Sequence, residues 1–518
     1  MRRRPSVRFA LGGLLCFCLC PALFGADHPQ WGQGHTRNMV SAETGLPETF
    51  DPSGGAGLRW TAPLGSVTYG TPVVSGGRVY VGTNNRRPRD PRHRGDRGVL
   101  LCLEESSGRM VWQLVAPKRR RPAGMDCVGQ GLFAPPTVEG DRLYLVTNRG
   151  EVACLDADGM ADGNDGPFRE EAAYAAQAGR DVFGRPTYPS EVGPHDADIL
   201  WLYDMVQELG VHPHDACSSG VVACGDFLYV GTSNGTSLGD RTVVPAPEAP
   251  SVIALDKRTG RLAARDAFGI GSAIFHGQWA SPAFGEVGGR RMLFWGGGNG
   301  VCYAFDALAP GDRAGGPARL RAAWRFDCGP ATGAAEAGRA ADPADPDGPC
   351  CIISSPVFHA GRVYVAATGD PWAGKRRAAL VCLDASGAGG RAAGGPLWSY
   401  PVDHHVIATP SVAEGLAYIG DLGGRVHCLD AETGRPCWVH EERPAIWAST
   451  LVADGKVYAG TTRGLLVVLA ASRERRVLGR VQLDGTISAS PVAANGVLYV
   501  ATCRTLYAAG KAAPAAAP

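Results

Sequence analysis

The sequence predicts an all-β fold, an eight-bladed β-propeller with four antiparallel strands per blade, closed by an N-terminal strand that completes the last blade. Three observations predict it. The first is a repeated hairpin: TPVVSGGRVYVGT (71–83), SSPVFHAGRVYVAAT (354–368), TPSVAEGLAYIGD (409–421), STLVADGKVYAGT (449–461) and ASPVAANGVLYVAT (489–502) are one pattern, and APPTVEGDRLYLVT, SGVVACGDFLYVGT and ASPAFGEVGGRRMLFWGG repeat it more loosely. Its aromatic anchor recurs as Tyr80, Tyr144, Tyr229, Phe294, Tyr364, Tyr418, Tyr458 and Tyr499, which sets the blade number. The second is the half that follows, as in VLLCLEESSGRMVW (99–112) and RVHCLDAETGRPCW (425–438), which adds a third strand, a tight turn and a fourth strand ending in Trp. The third is spacing. Tyr418, Tyr458 and Tyr499 stand 40 and 41 residues apart, the length of one four-stranded blade.

Taken in chain order, residues 1–26 have the plan of a secretory signal: Arg2, Arg3 and Arg4, the apolar run FALGGLLCFCLC, then LFGA before Asp27. That run is too short to span a bilayer, so no transmembrane segment is expected after cleavage. Export places the chain in the periplasm or outside the cell. GLRWTAPL (57–64) precedes the first repeat, and Trp60 matches the position of Trp112, Trp398 and Trp438; the last repeat stops at TLYAAG (505–510), one strand short. The two ends therefore latch the ring, leaving no large sheet edge exposed. The propeller occupies 27–510, interrupted by insertions at 84–97, 156–215, 233–250 and 330–349, and residues 511–518 form a disordered tail.

The signal carries four arginines and no acid, so its removal takes the formal charge from +1 (51 − 50) to −3 (47 − 50), which does not advertise a nucleic-acid partner. Of sixteen cysteines, three lie in the signal, leaving an odd thirteen. Cys102, Cys154, Cys302, Cys382 and Cys428 fall near one third-strand position in different blades, out of disulfide range of one another, and read as small core residues. Cys350 and Cys351 do not share that position. Adjacent Cα atoms are about 3.8 Å apart, so a disulfide between them is strained, and this pair is the one disulfide candidate. Free thiols, or pairing of each with a distant cysteine, are the competing readings.

Propeller strands run outward from the centre, so the short turns SGGR, EGDR, AEGL, ADGK and AETGR share one face and the long loops share the other. Long loops on a rigid ring are where binding is usually built. Segments entering each first strand reach the channel mouth, which selects Tyr69, Phe133, His214, Asp215, His276, Gln278, Trp279, Cys350, Cys351, His404, His405 and Trp447 as a ligand-binding funnel. Basic loops on the same face, with Arg86, Arg87, Arg119, Arg120, Lys375 and Arg376, suit an anion. In HPHDAC, His212, His214 and Asp215 form a candidate metal set. DADGMADGNDGPFREE (156–171) is dense in Asp, Asn and Gly like a calcium loop, with Met160 where the third ligand should stand.

The turn pattern in CLDAETGRPCW and ALDKRTGRL resembles the A-x-D-x-x-T-G-x-x-x-W docking repeat of the PQQ-type propellers, which include quinoprotein alcohol dehydrogenases and the propeller lipoprotein of the outer-membrane assembly machinery. The resemblance covers nearly the whole mature chain and implies the fold. It also implies PQQ with calcium as the cofactor to look for, since quinoprotein dehydrogenases stack PQQ between a vicinal cysteine pair and a tryptophan and hold calcium with Glu, Asn and Asp. Here the pair comes late, before the fifth repeat, and no stretch matches the calcium or catalytic-aspartate motifs. The expected function is therefore a non-catalytic exported propeller that binds a ligand or an envelope protein through its funnel and loop face. A PQQ-dependent alcohol or sugar dehydrogenase is the alternative.

Overall fold

The computed structural model describes residues 26–119, 127–176, 191–274, 276–309, 311–312, 317–329, 350–370, 377–387 and 395–511. The predicted signal, apart from Ala26, and Arg120, Lys375, Arg376 and the 330–349 insertion lie outside the described residues, as does the tail from 512.

Eight sheets of four or five strands form the eight blades, and neighbouring strands within each blade's four-strand run are antiparallel. Each inner hairpin follows the predicted alternation, as in Val73–Ser75 against Arg78–Asn84. All eight anchors are buried. Six of them pack on the tryptophan of their own blade's fourth strand, Tyr80 on Trp112 at 5.9 Å and Tyr499 on Trp60 at 6.0 Å among them.

Those tryptophans also join the blades. The indole N–H of Trp112 donates to the Ala157 carbonyl, Trp201 to Lys257, Trp324 to Ala385, Trp398 to Ala431 and Trp438 to Ser472, each in the turn of the following blade. Beneath the Trp201 indole lies Gly260 at φ +70°, where a methyl group would overlap the ring. The turn holds its shape because Asp256 Oδ1 accepts the amides of Arg258 and Thr259 and the Thr259 hydroxyl; Asp430 does the same for its own turn. Closure follows the expectation: Leu58–Pro63 pairs with Thr505–Ala509, and Trp60 donates across the seam to Glu105 of the first blade.

Two features depart from the sequence reading. Ile199–Asp204, placed in the 156–215 insertion, is the fourth strand of the second blade. Its alternation is masked because the loop before it is long. The larger departure is residues 26–46, which contribute only the two-residue strand Val40–Ser41 yet touch every blade. His28 bridges Val74, Pro29 accepts from Val138, His35 from Phe284 and Thr36 from Phe358. Asn38 then exchanges two hydrogen bonds with Val412, Val40–Ser41 pairs in parallel with the seventh blade, and the Ser41 hydroxyl donates to Ala493 in the eighth. The segment follows the innermost strands round the ring as a plug on their channel side. At its centre Arg37, 0% exposed, donates to the carbonyls of Trp31, Val221 and Pro282 at 2.7–2.9 Å. A buried guanidinium needs such a fork of acceptors to offset its desolvation.

Candidate functional site

Above that plug lies a belt of hydroxyls. Ser281 N–H donates to Ser355 Oγ, Ser355 to Thr409, Thr409 to Ser449, Ser449 to Ser490 and Ser490 to Thr71, with distances of 2.8–3.2 Å. Each hydroxyl stands two residues before the first strand of its blade, mostly in a Ser-Pro or Thr-Pro pair. Pro135 and Gly220 interrupt the belt in the second and third blades. Each oxygen accepts from the neighbouring blade, which leaves its O–H as a donor.

Higher still, the entry segments carry two aromatic groups. Tyr69 sits 4.5 Å from Phe133 and 5.8 Å from Trp447, by ring centroids; His214 sits 4.6 Å from His276, edge to face, and both pack on Trp279. Together with Asp215, Arg241, Trp31 and the belt they line a cavity of about 540 Å³. Trp31 belongs to the N-terminal segment, so the plug itself supplies part of the cavity wall.

The two imidazoles are held differently. His214 Nδ1 lies 2.6 Å from the Thr236 carbonyl, which can only accept, so Nδ1 carries the proton and Nε2 keeps its lone pair. Burial, with His276 alongside, pushes the His214 pKa down to about 4, so it is neutral at pH 7. His276 Nδ1 lies 3.0 Å from a carboxylate oxygen of buried Asp370.

Of the predicted funnel, Tyr69, Phe133, His214, Asp215, His276, Trp279 and Trp447 line the cavity. Five residues do not. Gln278 turns away to the Asn234 carbonyl and Ser251 hydroxyl, His404 is exposed against Gly423, and His405 pairs its backbone with Leu422. Cys350 and Cys351, 2% and 1% exposed, form a short strand against Gly369 and Thr368. Alternation along a strand sends their thiols to opposite faces: Cys350 joins the core with Cys302 and Cys328, while burial and the Asp370 carboxylate push the Cys351 thiol well up. They carry two separate thiols, and no disulfide joins any of the thirteen cysteines described. Cys102, Cys154, Cys382 and Cys428 stand directly opposite their anchor tyrosines, whereas Cys302 is two residues early, opposite Gly296.

The basic loops are largely tied to protein groups. Arg119 pairs with Asp204 at 2.6 Å and is mostly buried, and Arg92 and Arg97 are engaged within their loop's surroundings; Arg86 and Arg87 are exposed. His212, His214 and Asp215 do not present ligand atoms to one point. Among the described residues the groups that do are Asp90, His93 and Asp196, and Asp156, Asp158 and Asp162 of the calcium-like loop. Sequence reasoning missed Trp31, Arg241 and the belt. The recurring Ser-Pro and Thr-Pro was the signal for the belt.

PQQ and calcium do not fit this cavity in the way quinoprotein dehydrogenases hold them. The vicinal cysteines are buried away from it, and Asp215 is the one carboxylate among its described lining residues, with the cation Arg241 also present.

A 144-residue stretch is 29% identical to 1-butanol dehydrogenase (cytochrome c) of Thauera butanivorans, covering 25% of this chain and 20% of that protein. Another, of 126 residues, is 29% identical to quinohemoprotein alcohol dehydrogenase of Comamonas testosteroni, covering 20% and 18%. The chain thus matches about a fifth of the length of either relative. A europium-containing methanol dehydrogenase shares the fold, with a TM-score of 0.55, 13% identity and coverage of 92% of this chain and 89% of that one. The family described as outer membrane protein assembly factor BamB matches residues 44–235, 321–476 and 422–513, more than half of the sequence, and the chain belongs to it.

Proposed function

We propose that the protein is an exported, periplasmic or secreted binding propeller that takes a small, ring-shaped, acceptor-rich ligand into the plugged channel, and that its long-loop face meets an envelope protein. The observation that carries the first part is the cavity's construction: two aromatic groups for a flat ring, an O–H belt and Arg241 for its oxygen atoms, and Trp31 in its wall. Membership of a family named for outer-membrane assembly supports the second part. The His276–Asp370 pair favours a second reading, in which His276 accepts a proton from a bound alcohol in an oxidoreductase. The unsuited calcium set ranks it below binding.

PQQ itself separates the two, being planar and rich in carbonyl and carboxylate oxygens. Titrated into purified protein, it should quench tryptophan fluorescence saturably with or without calcium. The affinity should fall about tenfold in Trp279→Ala, and no dye-linked alcohol oxidation should follow. Calcium-dependent binding with alcohol oxidation would install the dehydrogenase reading. No quenching at all would overturn the ring-ligand reading.

A further inference from the structure

Outside the channel, between the first and second blades, three segments meet. The 84–97 loop brings Asp90 and His93, the outer strand Met110–Pro117 brings Gln113, and the second-blade insertion brings Glu171 and Asp196. The backbone fixes this meeting: Gln113 and Asp196 form a parallel bridge, and the Asn85 side chain holds the His93 carbonyl at 2.6 Å. His93, Gln113, Glu171 and Asp196 line a cavity of about 20 Å³, room for one water-sized guest.

What surrounds that space is unusual. His93 is 2% exposed, yet neither ring nitrogen has a hydrogen-bond partner; its Nε2 lies 3.5 Å from Asp196 Oδ1 without donor geometry. Gln113 Oε1 and Glu171 Oε1 are equally buried and partnerless, although the other Glu171 oxygen accepts from Asn164. Buried polar atoms are nearly always satisfied, so several orphans around one space point to a missing guest. The orphan oxygens can only accept, and a water molecule has two protons to give. A cation takes every lone pair at once.

We propose that this space is a binding site for one divalent transition-metal ion of zinc type, ligated by His93 with Asp90 and Asp196 and completed by Glu171 or Gln113. Asp90, His93 and Asp196 already place one ligand atom each within 4.8 Å of one another. The Arg92 guanidinium pairs with one oxygen of each aspartate, at 2.5 and 3.1 Å, and its backbone N–H donates to the other Asp90 oxygen at 2.8 Å, so both carboxylates are oriented as outer-sphere partners orient metal ligands, each oxygen keeping a second lone pair. Three carboxylates against that single arginine leave a surplus of negative charge for a divalent ion. An imidazole among carboxylates selects zinc-like ions over magnesium or calcium. The site would clamp the 84–97 loop to the second blade, beside the cavity's long-loop face.

Zinc titration of chelator-treated full-length protein by calorimetry tests this. The wild type should bind one more equivalent than His93→Ala, and Asp196→Asn should weaken that equivalent at least tenfold. His93→Gln, which keeps a lone-pair donor, should retain part of it. Cys350→Ser and the double variant Asp158→Asn with Asp162→Asn should keep the equivalent, since neither touches these ligands. Zinc-edge anomalous density between His93 and Asp196 would support the site. Equal stoichiometry and affinity in wild type and His93→Ala, or a water there in zinc-grown crystals, would overturn it.

Discussion

Blades six and seven are built almost without ornament, while the first five carry every loop of consequence. From Ser411 to Gln482 the inner hairpins, third strands and docking turns follow one another at the repeat spacing, and the hydroxyl belt runs unbroken through Thr409, Ser449 and Ser490. Across the ring, in blades two and three, the belt fails at Pro135 and Gly220, and there stand His214 and Asp215, the latter in the left-handed region at φ +64°. His276 and Asp370 follow in the fourth and fifth. The regular arc supplies rigidity and a donor surface, and the irregular arc supplies titratable groups. Chemistry gathers where the repeat is broken because a repeat position is already committed to packing.

The N-terminal segment spans both arcs, so removing it is the severest way to break the contrast. Deleting 27–46 while keeping the closing strand should strip the inner strands of the hydrogen bonds they make on their channel side. We expect insoluble protein, or loss of a single cooperative melt. Arg37→Met is the milder version. It strands the carbonyls of Trp31 and Pro282, at a cost of about 1–3 kcal/mol for each buried group left unsatisfied, while the Val221 carbonyl keeps the Thr137 hydroxyl as a donor. Chemical denaturation would read it, and a variant as stable as the parent would reduce the plug to decoration.

This segment also shows where sequence reading stops. The blades were legible because each repeats Tyr, Gly and Trp at fixed spacing, and the Trp60 closure was legible because the last repeat is one strand short. HPQWGQGHTRNMVSAE repeats nothing and alternates nothing, so its path could not be inferred. Funnel membership was legible where an aromatic or imidazole precedes a first strand, as at Tyr69 and His276. It failed at Cys350, where two residues of extra strand turn the side chains into the core, and at His404, where the entry segment bends outward. Asp370, 94 residues from His276 in sequence, had no local signal at all.

A smaller and chemically sharper test uses pH. Burial lowers the His28 pKa to about 3 and the His214 pKa to about 4, from 6.5. Both groups are neutral in the fold and take up protons more readily when unfolded. The unfolded chain therefore binds more protons below pH 6.5, and stability falls as pH drops from 6.5 towards 4, levelling for His214 below its folded value. The His214 share is on the order of 3 kcal/mol at about 1.4 kcal/mol per pH unit. His214→Gln should flatten the stability profile between pH 6.5 and 4 relative to the parent, leaving the His28 contribution. An unchanged slope would mean that His214 is solvated or charged in the fold.

The smallest expected effect separates the arcs most finely. Ser355→Ala and Ser449→Ala each remove one hydroxyl that accepts an amide from a neighbouring blade, Ser281 in one case and Thr409 in the other. On structural grounds the two should cost alike, about 1 kcal/mol. Their effect on ligand binding should differ if titratable groups fix the ligand's position. Ser281, whose amide Ser355 holds, stands two residues from Trp279 and five from His276, whereas the residues two and five before Thr409 are Ile407 and His404, and His404 lies exposed outside the cavity lining. Fluorescence titration with PQQ should therefore show a larger loss of affinity for Ser355→Ala than for Ser449→Ala, at equal loss of stability. Equal losses of affinity would mean that the belt acts as a uniform floor, and that the contrast between the arcs ends at the aromatic groups.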